Sequence, residues 1–219
     1  MSGIAENVKR VLKEVPDYVE VVAAAKARTA DEVLQAVDAG IRVIGENYIR
    51  DTRVAQSVVG HRAQWHFIGR IREHDVRLAT LGLFDLIQSV ASMSLAQRID
   101  EKCSALGRRM PVLVEVNSGR EPQKAGVLPE TAEDLVRRIA SLDNVQVLGL
   151  MTMGPLGPSE DLYRPCFAET RQLFNHVESL GIPRIVMRYL SMGTSDTYGV
   201  AIEEGANMVR IGTGLFGSR

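Results

Sequence analysis

Short apolar runs alternate with stretches of helical spacing along the whole chain, and this alternation is the strongest constraint on its fold. The runs cover 19–25, 43–45, 65–68, 85–89, 112–116, 146–151, 185–190 and 208–211. Most are rich in Val, Ile, Leu or Ala with little polar alternation, the pattern of a strand buried on both faces. Four of the intervening helices can be read with both ends. Thr29 is an N-cap for a helix over 30–39 that stops at Gly40, and the helices over 93–106, 162–180 and 196–204 stop at Gly107, Gly181 and Gly205. Pro183 restarts the chain toward the seventh strand. The segment 4–15 reads as an extra helix before the first strand. Eight strands with helical connections in 219 residues predict a closed (β/α)₈ barrel, a TIM barrel forming one domain over 1–219. A doubly wound open sheet is the competitor, but no GxGxxG follows the first strand. The chain ends soon after the eighth strand, so a second domain is not expected.

Charge and cysteine usage narrow the function classes. With 26 Lys and Arg against 27 Asp and Glu, nothing draws the protein generally to nucleic acid or to a membrane. The clusters Arg70-Ile71-Arg72, Arg108-Arg109 and Arg137-Arg138 read as solvated faces. Cys103 and Cys166 are far apart, and His61, His66, His74 and His176 make no HxxxH pattern, so neither a metal nor a redox site is expected. Charges at Glu6, Lys9, Arg10, Lys13 and Glu14 argue against a signal peptide, and no apolar run approaches the ~18 residues of a membrane helix. A cytoplasmic protein is expected.

Active sites of such barrels lie where strands meet the following loops. Those positions offer Lys26, Glu46 with Asn47, Gly69 with Arg70, Ser89, Asn117 with Ser118, Thr152 with Met153, the segment Ser191-Met192-Gly193-Thr194-Ser195, and Gly212 with Thr213. Loops after strands seven and eight are a recurrent phosphate site, because glycine lets backbone N–H groups approach an anion and hydroxyls add donors. Ordinary turn and capping chemistry is the alternative for each loop. Lys26 is either a solvated strand terminator or an amine whose partial enclosure in the barrel mouth frees it to attack a carbonyl. A reactive amine facing a phosphate cradle suggests a phosphorylated aldehyde, with pyridoxal 5′-phosphate the obvious one. By period-two alternation Arg210 and Gly212 share a face, while Val209 and Ile211 share the other. An inward arginine needs a ligand or a carboxylate such as Glu115. His66 reads as a packed, hydrogen-bonded core histidine.

Six segments in order carry a resemblance over nearly the whole chain. They are Ala23-Ala24-Ala25-Lys26, Gly45-Glu46-Asn47, Trp65-His66-Phe67-Ile68-Gly69, Gly149-Leu150-Met151-Thr152-Met153, Leu190-Ser191-Met192-Gly193-Thr194-Ser195-Asp196 and Met208-Val209-Arg210-Ile211-Gly212-Thr213. The chain resembles the pyridoxal phosphate homeostasis proteins, which share the barrel of alanine racemase. The resemblance implies that Lys26 forms the aldimine with pyridoxal 5′-phosphate and that Asn47 lies beside the pyridine ring. It implies that Ser191, Ser195, Gly212 and Thr213 bind the phosphate, that Arg210 faces the pyridine nitrogen, and that Lys124 lies near the site. The chain departs from the family at Arg72, His74 and Asp75, where Gln, Asn and Lys are usual, at Thr194 in place of a methionine, and at Ala25 in place of a serine.

An arginine beside the pyridine nitrogen disfavours ring protonation and weakens the electron sink. Related racemases take a second base from another domain. The expectation is therefore a monomeric carrier or regulator of the cofactor with little or no turnover, whose partners are the cofactor, small amino acids and cofactor-dependent apo-enzymes. A racemase on small amino acids, a Schiff-base aldolase and a non-enzymatic scaffold stay open.

Overall fold

Apolar strands do not by themselves say which face looks inward; closure of the sheet decides it. The computed structural model describes residues 3–71, 75–155, 157 and 159–218. Its strands are β1 (Glu20–Ala24), β2 (Val43–Glu46), β3 (Gln64–Phe67), β4 (Leu86–Val90), β5 (Met110–Glu115), β6 (Val145–Met151), β7 (Tyr189–Ser191) and β8 (Met208–Ile211). All neighbours are parallel and follow chain order, and β8 closes on β1 with Val22 opposite Arg210. The expected barrel is what forms, and the open sheet is excluded.

The helices are α1 (Ile4–Glu14), α2 (Ala30–Asp38), α3 (Ile49–Val59), α4 (Val76–Leu78), α5 (Met93–Ala105), α6 (Pro129–Ile139), α7 (Glu160–Ser179), α8 (Tyr198–Glu203) and α9 (Thr213–Phe216). Thr29 caps α2 as expected. Its hydroxyl accepts from the Glu32 N–H at 3.2 Å, and the Glu32 carboxylate accepts from the Thr29 N–H at 2.8 Å. That reciprocal pair holds Glu32 below the usual carboxylate range, with Arg28 adding to it. Among the described residues no helix is long and apolar enough to cross a membrane, and no cluster of metal-ligating side chains occurs.

Alternation along each strand divides the apolar residues into two cores. The larger lies between the strands and the helices and includes Ala23, Ile44, Val209 and Ile211. The smaller fills the barrel with Val22, Val43, Leu86, Leu113, Met151 and Met208. One step further along the same faces the interior turns polar, with His66, Gln88, Glu115, Ser191 and Arg210 all buried. The apolar layer therefore closes the barrel from below, and the polar layer floors its C-terminal mouth.

The seventh strand is shorter than expected. Residues 185–188 run beside β6, with Val186 N–H bonded to Val147 O and Arg188 N–H to Leu148 O, but they are not regular strand. Arg184 has φ +73°, and Arg188 N–H also bonds back to Val186 O at 3.0 Å, so the backbone folds on itself before pairing resumes at Tyr189. Arg72 and His74, two of the departures from the family pattern, lie outside the described residues.

Candidate functional site

The inward faces of β1, β2 and β8 continue past the strand ends as Lys26, Asn47 and Gly212. With Ile68, Met153, Thr194, Arg210 and Thr213 they line one cavity of about 580 Å³. Lys26 sits in a tight turn closed by Arg28 N–H to Ala25 O at 2.9 Å, and Ala27 occupies its left-handed position with φ +54°. A turn of this kind favours glycine there, so alanine stores about 1 kcal/mol of strain beside the lysine. The turn carries Lys26 out to the mouth. It is solvent-exposed at the rim of the cavity, the first of the two alternatives the sequence left open, and its Nζ lies 5.9 Å from the centroid of the Tyr48 ring.

Across the cavity the loops after β7 and β8 are tied together. Ser195 Oγ accepts from the backbone N–H of Gly212 and of Gly214, each at 3.1 Å. Two amides thus converge on one oxygen beside the exposed Thr213, which is the donor arrangement an anionic oxygen requires. Gly193, at φ +90°, lets the loop pass: a side chain there would meet Ala201 Cβ at 2.7 Å and Tyr198 Cα at 2.9 Å. These donors fit a phosphate, and the facing amine fits an aldehyde.

Ser191 does not join this cradle. As the last residue of β7 its side chain turns into the barrel, where Oγ accepts from Arg210 at 2.6 Å and donates to Gln88 Oε1 at 2.7 Å. Gln88 in turn meets His66 Nδ1 at 3.0 Å. Burial holds His66 neutral, with its pKa pushed down to about 3, and because the Gln88 Nε2 amide facing Nδ1 can only donate, Nδ1 accepts and Nε2 carries the proton. Arg210, 3% exposed, also donates to Thr152 O at 2.8 Å. Burial lowers its pKa to about 10, and Glu115 opposes that shift. Glu115 is itself raised by burial and lowered by Arg210 and Arg70. The expected carboxylate neighbour of Arg210 is present, and the arginine remains a cation at neutral pH.

Glu46, beside Asn47, faces the other way and is fully buried, with neither carboxylate oxygen hydrogen-bonded. Burial first, then Asp51, raises its pKa to about 7, and the nearby Asn47 N–H, which does not reach hydrogen-bond geometry, only partly holds the rise back. Its folded value lies above its unfolded one, so the folded state binds the extra proton. Stability from this group is full below about 4.5 and is lost as pH rises toward about 7. The whole effect is on the order of 3 kcal/mol. Glu46→Gln should therefore gain stability over wild type at pH 8 and little at pH 5, read by urea denaturation. An equal difference at both pH values would sink this.

The alanine racemase N-terminal domain family matches residues 1–219. A pyridoxal phosphate homeostasis protein of Aquifex aeolicus is 33% identical over 223 residues, covering 100% of this chain and 96% of that protein. The chain belongs to the pyridoxal phosphate homeostasis protein family. PipY of Synechococcus elongatus, solved with PLP bound, superposes with TM-score 0.89 at 31% identity, covering 98% of this chain and 100% of that one. Alanine racemase of Clostridium difficile, at 16% identity, shares the fold with TM-score 0.82 over 99% of this chain and 57% of that one.

The family segments now acquire physical reasons. Gly69 closes Trp-His-Phe-Ile-Gly because a side chain there would come within 2.6 Å of the Asn47 carbonyl oxygen, so it sets where Asn47 stands. Gly149 is required by the Tyr189 backbone. Lys124 lies outside the Lys26 cavity. It donates to Gly154 O at 2.6 Å, pairs with Glu121, and lines a neighbouring cavity of about 410 Å³ that shares Met153 and Thr194 with the first. Sequence reasoning missed Tyr48, Arg28 and Gln88. Arg28 ties the lysine turn to α9 by donating to Gly217 O at 2.5 Å. Alternation from Leu86 marks Gln88 as inward, whereas no local pattern places Tyr48 or Arg28.

Proposed function

We propose that this protein is a carrier of pyridoxal 5′-phosphate, taking the cofactor up through Lys26, holding it reversibly and limiting free aldehyde in the cell. One observation carries the reading. A primary amine, Lys26, lines the same cavity as Gly212 and Thr213, and beside it the Gly212 and Gly214 amides converge on Ser195 Oγ at 3.1 Å each. The pyridoxal phosphate homeostasis protein of Aquifex aeolicus and the PLP-bound PipY, both similar to this chain, support it.

The bound group supplies an aldehyde that a neutral lysine amine captures with loss of water. Gly212, Gly214, Ser195 and Thr213 hold its phosphate, and Asn47 offers an amide at the lysine side of the cavity. Ser191, through its bond to Arg210, positions that guanidinium rather than touching the phosphate. Arg210 keeps a permanent cation on the cavity floor, which disfavours a second positive charge on a bound ring and with it vigorous turnover. We read the chain as one cofactor-binding domain, a cytoplasmic monomer, with apo-enzymes and small amino acids as partners.

A spectrum tests this. Adding the cofactor to wild type should produce a band near ~420 nm that borohydride removes. Lys26→Ala should lose the band, and Thr213→Ala should keep it with affinity weakened by about tenfold or more, the worth of a hydrogen bond to a charged group. A borohydride-reducible band in Lys26→Ala would move the attachment to Lys124 and overturn the reading. Robust formation of D-alanine from L-alanine would replace the carrier with a racemase.

A further inference from the structure

A groove larger than the Lys26 cavity, about 750 Å³, lies against it between the start of α3 and the end of β3. Its walls are Arg50 and Arg53 from one face of α3, Arg70 from beyond β3, and the half-exposed Tyr48 ring, with the buried Phe67 below. Asn47 belongs to both cavities.

Several arginines elsewhere meet carboxylates, among them Arg28 with Glu32, Arg120 with Glu130 and Glu169, and Arg164 with Glu160, Glu203 and Glu204. Others, such as Arg108, Arg109 and Arg171, donate to backbone carbonyls. Among the described residues none forms an ion pair with Arg50, Arg53 or Arg70, and the one acid in the groove wall is Asp75. Three arginines against Asp75 in the wall, with Glu115 near enough to feel Arg70, leave the hollow with an excess of positive charge in a chain of net charge −1, and a bound anion would relieve their mutual repulsion.

Geometry selects the anion. Guanidinium forks match phosphate oxygens in paired hydrogen bonds, and three of them from two elements suit several phosphates in a row. The exposed Tyr48 offers a face for a planar ring, and the volume falls within the range of small-molecule sites rather than of flat protein surfaces. We infer that the Arg50–Arg53–Arg70 groove binds a nucleoside polyphosphate, at a site distinct from the Lys26 cavity and adjoining it. The inference does not rest on the cofactor reading, because none of these arginines lines the Lys26 cavity.

Titration calorimetry with ATP and with inorganic tripolyphosphate as probes tests it on the intact protein. Wild type should bind both, ATP more tightly because its ring adds the Tyr48 contact. Arg50→Ala/Arg53→Ala, and Arg70→Ala separately, should weaken both probes by about tenfold or more, as loss of charge-assisted bonds demands. All three arginines are exposed, so the variants should melt with wild type. Tyr48→Ala should bring ATP down to the affinity of tripolyphosphate. Thr213→Ala should leave both unchanged. Absence of binding in wild type, or loss in Thr213→Ala with none in the arginine variants, would overturn the site. Equal affinity of wild type for the two probes would overturn the nucleoside.

Discussion

Replacing Gly149 with alanine is expected to leave the barrel unable to close, with the protein insoluble or unfolded. A methyl group at this position would lie 1.9 Å from the Tyr189 carbonyl oxygen, 2.8 Å from its carbon and 3.0 Å from its nitrogen. All three are backbone atoms of the paired strand, so nothing flexible can yield. The residue also has φ +141°, which L side chains rarely adopt. Moving β7 away would break its pairing with β6 and displace Ser191, hence also Arg210 and the loop carrying Gly193 and Ser195. We expect a loss above about 4 kcal/mol, the range reserved for steric failure in a core. Gly60→Ala is the matched control. It has φ +64° with ψ −141°, a conformation that favours glycine, but open space around the site, so it should cost about 1–3 kcal/mol of backbone strain with no clash. Thermal denaturation of the pair decides the matter. A Gly149→Ala protein melting with the Gly60→Ala control would refute the account.

Arg210→Met should be the most damaging change within the polar layer. The substitution keeps much of the volume but removes the donors to Ser191 Oγ and Thr152 O, together with the cation that Glu115 faces. Leaving one charge of such a buried network without its counterpart costs about 3–5 kcal/mol. Arg210→Lys should recover little, because one ammonium does not reproduce a fork that reaches two acceptors in separate places. The loss should also depend on pH. Burial already raises Glu115, and without Arg210 it rises further, so stability falls over a wider span as pH increases. Urea denaturation should thus show a larger deficit at pH 8 than at pH 5. A pH-independent deficit would mean that Glu115 does not respond to Arg210.

Much of the fold was legible because two periodicities are written along the chain. The run at 208–211 matched β8 residue for residue, and its alternation correctly placed Arg210 and Gly212 on the inward face. Thr29 announced α2 because its capping box is local in sequence. The helices α3 and α6 were not read, since their N-caps, Tyr48 and Leu128, make no side-chain cap hydrogen bond; Pro129 at the first position of α6 was the available start signal. The 185–190 run misled, because apolar composition cannot reveal that Arg184 and Arg188 fold the backbone before β7.

At the site, the type of each residue was readable and its direction was not. Ser191 and Ser195 look alike in a Gly-containing loop. Strand pairing turns the first into the barrel and leaves the second to collect two amides. For Lys26 the sequence left open a solvated terminator or a partly enclosed amine, and the turn with Ala27 carries it into solvent at the cavity mouth.

By itself the sequence determined the order and kind of the elements, and which of them end in an amine, an amide or a hydroxyl, because those follow from local periodicity and side-chain chemistry. Tertiary structure alone decided which ends share a cavity, that Arg210 is satisfied by Ser191 and Thr152, and that three arginines meet around Tyr48. The first two depend on distances between residues far apart in the chain, which exist only once the barrel has closed, and the third needs the pairing of β2 with β3 that brings Arg70 to Arg50 and Arg53.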